Sequence, residues 1–202
     1  MTALILTILG FFIGSLPFSV WLGQLVLKKD VRQYGDGNPG AANVGKAGGP
    51  VLGVIAVLLD GLKGAIPVLI ARYTFGVGGP ALIPVALAPV AGHAFSPFLG
   101  FHGGKAIATT FGIWLGLTSW IGPSFLGVSV LAITALIVSS AWTIILAMFC
   151  WLGFMLWRSY DAVFLAIWAG NMVILLWKHR YSLSEPVRIR PYLRRAPKPP
   201  PG

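Results

Sequence analysis

Apolar runs broken by short polar stretches set the plan of this chain. A helix crosses a bilayer core with about 20 apolar residues. Residues 2–27 hold no charge and run longer than that. A polar, glycine-rich stretch follows at 28–46. The next run, about 51–71, is interrupted only by Asp60 and Lys63, which stand three apart, share a helix face and can pair. After a turn at 72–80, a shorter run at 81–91 is expected to bend through Gly92 to Gly100. Further runs at about 105–120, 124–137, 142–157 and 162–177 are separated by Gly122-Pro123, Ser139-Ser140 and the break Arg158 to Asp161. The pattern predicts an all-α integral membrane protein of about seven transmembrane helices, with glycine-rich re-entrant loops at one face. Pro17 is expected to loosen the first helix midway, with Ser15 satisfying freed backbone groups.

Composition strengthens this picture. Hydrophobic residues make up 56% and charged residues 10%, against about 25% charged in soluble domains; the mean hydropathy is +0.83. One polytopic domain is expected over 1–195, with a proline-rich disordered tail over 196–202. No basic residue precedes the first run, so it is expected to be a retained span rather than a cleavable leader. The single cysteine, Cys150, excludes an intrachain disulfide and suggests no cysteine metal site.

A net charge of +10 raises nucleic acid as a partner, but the apolar content points to membrane topology and anionic headgroups instead. With seven spans, Lys28, Lys29, Arg32, Lys46, Lys105, Lys178, Arg180, Arg188, Arg190, Arg194, Arg195 and Lys198 share one side. Arg72 and Arg158 fall on the other. Cytoplasmic loops are rich in Lys and Arg, so the N-terminus is expected outside and the C-terminus in the cytoplasm. Both glycine-rich loops and the Lys178-His179-Arg180 cluster then meet at the cytoplasmic face.

That face carries the candidate chemistry. Gly35, Gly37 and Gly40 alternate with Asp36 and Asn38, and Asn43 and Lys46 follow. Glycines at positive φ let successive N–H groups converge on an anion; an ordinary Gly/Asn turn set would look similar. Gly103-Gly104-Lys105 opens a helix whose free N–H groups favour an anion, with Thr109 one turn on as a further donor; a turn with a topology-setting lysine is the plainer reading. His179 is either a headgroup anchor or a site residue, and Arg180 has the fork of donors that grips phosphate. His93 is either a structural hydrogen-bonder or a base. Asp60 and Lys63 read first as a structural pair, second as site residues. No metal-ligand spacing and no Gly-x-Ser-x-Gly elbow occur. Cations, backbone donors and few bases suit transfer from an already activated donor.

Six segments in order carry a resemblance: Gly14 to Phe18, Gly35 to Val44, Leu59 to Gly64, Gly92 to Leu99, Gly103 to Thr109, and Lys178-His179-Arg180. Together they resemble the bacterial acyl-phosphate:glycerol-3-phosphate acyltransferases, the PlsY family, over nearly the whole chain. The resemblance implies a seven-helix enzyme of the bacterial inner membrane with a cytoplasmic active site. It implies transfer of a fatty acyl group from acyl phosphate to the 1-hydroxyl of glycerol 3-phosphate, giving lysophosphatidate and phosphate. It implies neither cofactor nor metal. Lys105, His179 and His93 are then the expected catalytic groups. Gly35, Asp36, Gly37, Asn38, Gly40, Asn43 and Lys46 are expected to bind substrate from the first loop. Gly103, Gly104, Thr109, Arg180 and Ser182 are expected to do so from the other two stretches. The family pattern has serine at Asp36, threonine at Ala42, glycine at Ala106 and asparagine at Ser182. Its arginine before the sixth helix is absent here, where Thr134 and Ala135 stand. A carboxylate beside a bound phosphate costs on the order of a few kcal/mol in a partly buried site. That cost is offset if Asp36 turns toward Lys46 or Arg32 or takes a proton; otherwise the acceptor, the donor or catalysis itself has changed.

Overall fold

The computed structural model describes residues 1–193. The expected disordered tail at 196–202, and the cations Arg194, Arg195 and Lys198, lie outside them. Among the described residues every regular element is a helix. One isolated antiparallel bridge joins Ile137 to Ile189.

The first apolar run is broken where proline requires it. Helix α1 covers Thr2–Ser15 and α2 covers Phe18–Leu22, followed by a widened π turn at Gly23–Leu27. Pro17 has no N–H, so nearby carbonyls lose their helical partners. Other elements supply the donors. The Ser15 carbonyl accepts from Ser96 Oγ at 2.6 Å, and the Leu16 carbonyl from Lys63 Nζ at 2.7 Å. Ser15 Oγ itself donates to Phe11 O, one turn back.

The polar stretch contains a helix that its glycines and asparagine concealed, α3 at Ala41–Gly48. Gly49 turns the chain at φ +90° into α4, Pro50–Leu69, which opens on its proline. Helix α5, Leu82–Ala94, is lengthened at both ends by 3-10 turns at Gly79–Ala81 and Pro97–Leu99. The run that looked short is therefore 21 residues, Gly79–Leu99. Helices α6 (Ile107–Thr118), α7 (Ile121–Leu136), α8 (Ser140–Trp157) and α9 (Ala162–Leu183) complete the bundle. Helix α6 begins at Ile107, two residues past Lys105, because Ala106 takes a left-handed conformation. Helix α9 runs to Leu183, past the expected end at 177, since no breaker intervenes before Pro186.

Five units are long and apolar enough to cross a membrane: Thr2–Leu27, Pro50–Thr74, Gly79–Leu99, Ser140–Trp157 and Ala162–Leu183. Helices α6 and α7 are apolar but shorter. Small residues let the backbones touch, as membrane helix interfaces favour. A Cβ added at Gly112 would sit 2.0 Å from the Gly61 carbonyl, and one at Gly92 2.1 Å from that of Phe11. These contacts lock α6 on α4 and α5 on α1. Trp114, Trp151 and Met148 fill the interior, while Leu4, Val51, Leu131 and Val173 are mostly exposed around the outside.

The two ends of the bundle differ. At one, Arg72 donates to the Leu117 carbonyl at the end of α6 and lies over the Phe164 ring. At the other, the glycine-rich loops converge.

Candidate active site

The first loop is shaped by its own side chains before it meets anything else. Asp30 accepts from the Arg32 N–H and pairs with its guanidinium at 2.8 Å, which ties up Arg32. Val31 is fully buried beside Val20, Val44 and Ala56, so the loop folds back onto the bundle. Gly35 and Gly37 take φ +63° and +75°. A Cβ at Gly35 would lie 2.2 Å from Asn43 Oδ1 and 2.7 Å from Lys46 Nζ, so only glycine permits this turn.

Asp36 is the hub. Its Oδ1 accepts from the Asn38 N–H at 3.2 Å and from Asn43 Nδ2 at 2.9 Å. Its Oδ2 accepts from Lys105 Nζ at 2.7 Å. Burial works to raise the Asp36 pKa. The Lys105 ammonium, the Asn38 N–H and the Asn43 amide outweigh it and hold the carboxyl at about 2. The expectation for this residue is corrected. It turns to Lys105 from the other loop, not to Lys46 or Arg32, and it is ionised rather than protonated. Arg32 already faces Asp30, and Lys105 offers a less exposed and therefore stronger partner.

The second loop is stapled to α5 and α9. The Gly104 N–H donates to the His93 carbonyl at 3.0 Å. Lys178 Nζ donates to the Ala94 and Gly103 carbonyls, each at 2.9 Å. A Cβ at Gly104 would sit 2.2 Å from His93 Nε2. On the other side of that ring, Nδ1 lies 3.8 Å from Asp60 Oδ1. Asp60 Oδ2 accepts from Ser19 Oγ at 2.9 Å, and Oδ1 lies 2.7 Å from Lys63 Nζ. That last contact is a close ion pair whose alignment falls short of a hydrogen bond.

Between the loops and the α4–α6 seam lies a cavity of about 570 Å³. Asp36, Asn38 and Lys105 stand at its polar end, with Asp60 and His93 beside them. Leu58, Leu62, Ile107, Phe111 and Leu115 make its apolar walls, which continue to Trp120. Helix α6 alone runs about 18 Å at 1.5 Å per residue. The cavity therefore joins a polar mouth to a long apolar trough.

The family model described as glycerol-3-phosphate acyltransferase matches residues 4–188. The chain belongs to the glycerol-3-phosphate acyltransferase family. It is 37% identical over 191 residues to the glycerol-3-phosphate acyltransferase of Anaeromyxobacter sp. strain Fw109-5, covering 92% of this chain and 93% of that protein. It is 34% identical over 197 residues to glycerol-3-phosphate acyltransferase 1 of Thermotoga maritima, covering 88% and 97%. The fold matches crystal structures of PlsY (YgiH), an integral membrane glycerol 3-phosphate acyltransferase. The glycerol 3-phosphate form aligns with a TM-score of 0.84 at 32% identity, and the lysophosphatidic acid form with 0.82 at 30%. Each alignment covers 91% of both chains. With its apolar helices, this makes the chain a multi-pass membrane protein.

The expected acyltransferase residues divide into three groups. Asp36, Asn38, Gly40, His93 and Lys105 line the cavity. Gly35, Gly37, Asn43, Lys46, Gly103 and Gly104 shape the two loops behind it. The rest lie outside the lining. Thr109 Oγ1 donates to the Asp60 carbonyl, which turns it to α4 rather than to the cavity. His179 is buried with neither ring nitrogen hydrogen-bonded among the described residues; the Lys105 backbone and the Lys105 and Asp36 charges are its neighbours. Arg180 donates to the Trp177 carbonyl and stacks on the Trp177 and Tyr181 rings at 4.5 and 4.3 Å. Ser182 lies outside the cavity lining. Two contributors escaped the sequence reading. Lys178 was placed in the Lys178-His179-Arg180 cluster but given no role of its own, and Ser96 lay in the Gly92 to Leu99 segment without one.

Proposed function

We propose that this chain transfers a fatty acyl group from acyl phosphate to the 1-hydroxyl of glycerol 3-phosphate at a bacterial cell membrane. The observation that carries the reading is a cavity of about 570 Å³ whose polar end holds Lys105 and Asn38 and whose apolar walls run along α4 and α6. An acyl phosphate has that shape, with its mixed anhydride where head and tail join. Lys105, Asn38 and the first-loop amides would hold phosphate groups, and the tail would lie along α4 and α6. The acceptor oxygen attacks the acyl carbonyl carbon, and the bond from that carbon to the phosphate oxygen breaks. The hydroxyl proton passes to the departing phosphate. The products are lysophosphatidate and inorganic phosphate. Held charges and fixed geometry, rather than a strong base, supply the acceleration.

The orientation follows from charge. Among the described residues the cations gather at the Lys105 end, while Arg72 and Arg158 mark the other. The positive-inside tendency then supports a cytoplasmic site with the N-terminus outside. The Asp36–Lys105 pair favours a second reading, a homologue that holds a lipid precursor but has altered turnover or acceptor. Purified protein in nanodiscs decides between them. The first reading requires lysophosphatidate and phosphate in equal amounts from acyl phosphate plus glycerol 3-phosphate, and none from an acyl thioester. Tight binding of acyl phosphate without product would establish the second reading in its place.

A further inference from the structure

An anion site is a set of donors aimed at one point. In this chain three such donors, Lys105 Nζ, the Asn38 N–H and Asn43 Nδ2, already meet on one carboxylate. We propose that Asp36 is a resident anion, occupying the phosphate position and setting the affinity of the site by competing for those donors. The inference deepens the proposed function and rests on its phosphate site.

Two features make the occupancy reversible. The Asp36 side chain is 49% exposed and stands at the cavity mouth, so it can swing away without unpacking the bundle. A second cation waits on the same loop. Lys46 Nζ lies against Gly35, next to Asp36 in the chain, and makes no ion pair among the described residues. An incoming phosphate takes Lys105 and the two asparagine donors, and the Asp36 carboxylate moves to Lys46. The bound phosphate then faces a cation instead of a neighbouring carboxylate. Arg32 cannot serve, since Asp30 holds it. Lys46 thus acts through Asp36, as a positioning residue that shelters the displaced charge.

Inorganic phosphate, titrated into the full chain in nanodiscs at pH 7 and constant ionic strength, is the probe. Asp36→Asn keeps the shape and drops the charge, and Asp36→Ala drops both. Each is expected to bind phosphate roughly tenfold more tightly than the wild type, the weight of one like charge near hydrogen-bond range in a partly solvated site. A residue needed only for loop structure would give weaker binding on removal. Lys46→Met is expected to weaken binding in the wild type and to have no effect in the Asp36→Asn background. Weakening in both backgrounds would place Lys46 on the phosphate itself and overturn the exchange. Unchanged or weaker binding in both Asp36 variants, with Lys105→Ala still abolishing it, would overturn the resident anion alone. No phosphate binding by any form, or binding that survives Lys105→Ala, would overturn the phosphate site and this inference with it.

Discussion

Lys63 Nζ donates to the Leu16 carbonyl at 2.7 Å, across 47 residues and from the middle of an apolar helix. The same ammonium lies 2.7 Å from Asp60 Oδ1, and both side chains are almost fully buried. A charge in such a place has a reason. Here it closes the helix break that Pro17 opens and holds Asp60 beside the cavity. Lys63→Met leaves Asp60 as an uncompensated buried charge and is expected to cost roughly 3–5 kcal/mol of stability. Unfolding of detergent-solubilised protein measures this. The double variant Asp60→Asn, Lys63→Met should lose less than Lys63→Met alone. Equal losses would mean that the pair is not coupled.

The pH dependence assigned to Asp36 has a definite sign. Its folded pKa of about 2 lies below the ordinary 3.8. A carboxylate with a depressed pKa contributes its full stabilisation above the unfolded value and loses it as pH falls through the folded one. Wild type should therefore lose melting temperature relative to Asp36→Asn between about pH 4 and pH 2. The difference should be flat from pH 5 to pH 8. A step in that difference near neutrality would contradict the ionised pair. The effect is modest, because the carboxylate is half in solvent.

Gly104 leaves no room for a methyl group against His93 Nε2. Gly104→Ala must push the hairpin, and Lys105 with it, away from the first loop. A displacement of about 1 Å at a reacting centre can cost roughly 100-fold in rate. A loss of that order in kcat/KM is expected, together with an overpacking cost of about 1–3 kcal/mol in stability. Lys178→Met releases the same hairpin from α9 and should speed amide exchange at residues 101–106. Unaltered exchange there would show that the two carbonyl contacts of Lys178 hold nothing.

Cysteine labelling tests which ends share a face. In a Cys150→Ser background, cysteines at His102 and Tyr181 should react from the cytoplasmic side only, and one at Gly76 from the outside only. Reaction of the His102 and Tyr181 sites from opposite sides would contradict the contact that Lys178 of α9 makes with the second loop.

The membrane character and the order of the helices were legible in the apolar runs, because a bilayer leaves few alternatives to helices. The two polar loops were legible as glycine-rich, cationic breaks between apolar runs, and Gly35 and Gly37 do take positive φ. Contacts across the fold were not. Asp36 and Lys105 are 69 residues apart, and nothing local pairs them. Helix α9 ran past its expected end, and that decided Arg180. Successive residues on a helix point about 100° apart, so Lys178 and His179 turn inward while Arg180 faces Trp177 and Tyr181. Thr109 went to α4 because the left-handed Ala106 restarts the helix at Ile107. Helix α3 was hidden because Gly45, Gly48 and Asn43 are poor helix formers, held here by burial of Val44.

Lys105 joins both loops at the mouth of the trough, so its removal should disturb the site most. Lysophosphatidate formation from acyl phosphate and glycerol 3-phosphate should be followed for wild type and Lys105→Ala in nanodiscs, with folding checked by melting. A fall of about 100-fold or more in the variant is expected from losing a preorganised charge at the reacting centre. Turnover by Lys105→Ala at the wild-type rate would show that the chemistry lies elsewhere.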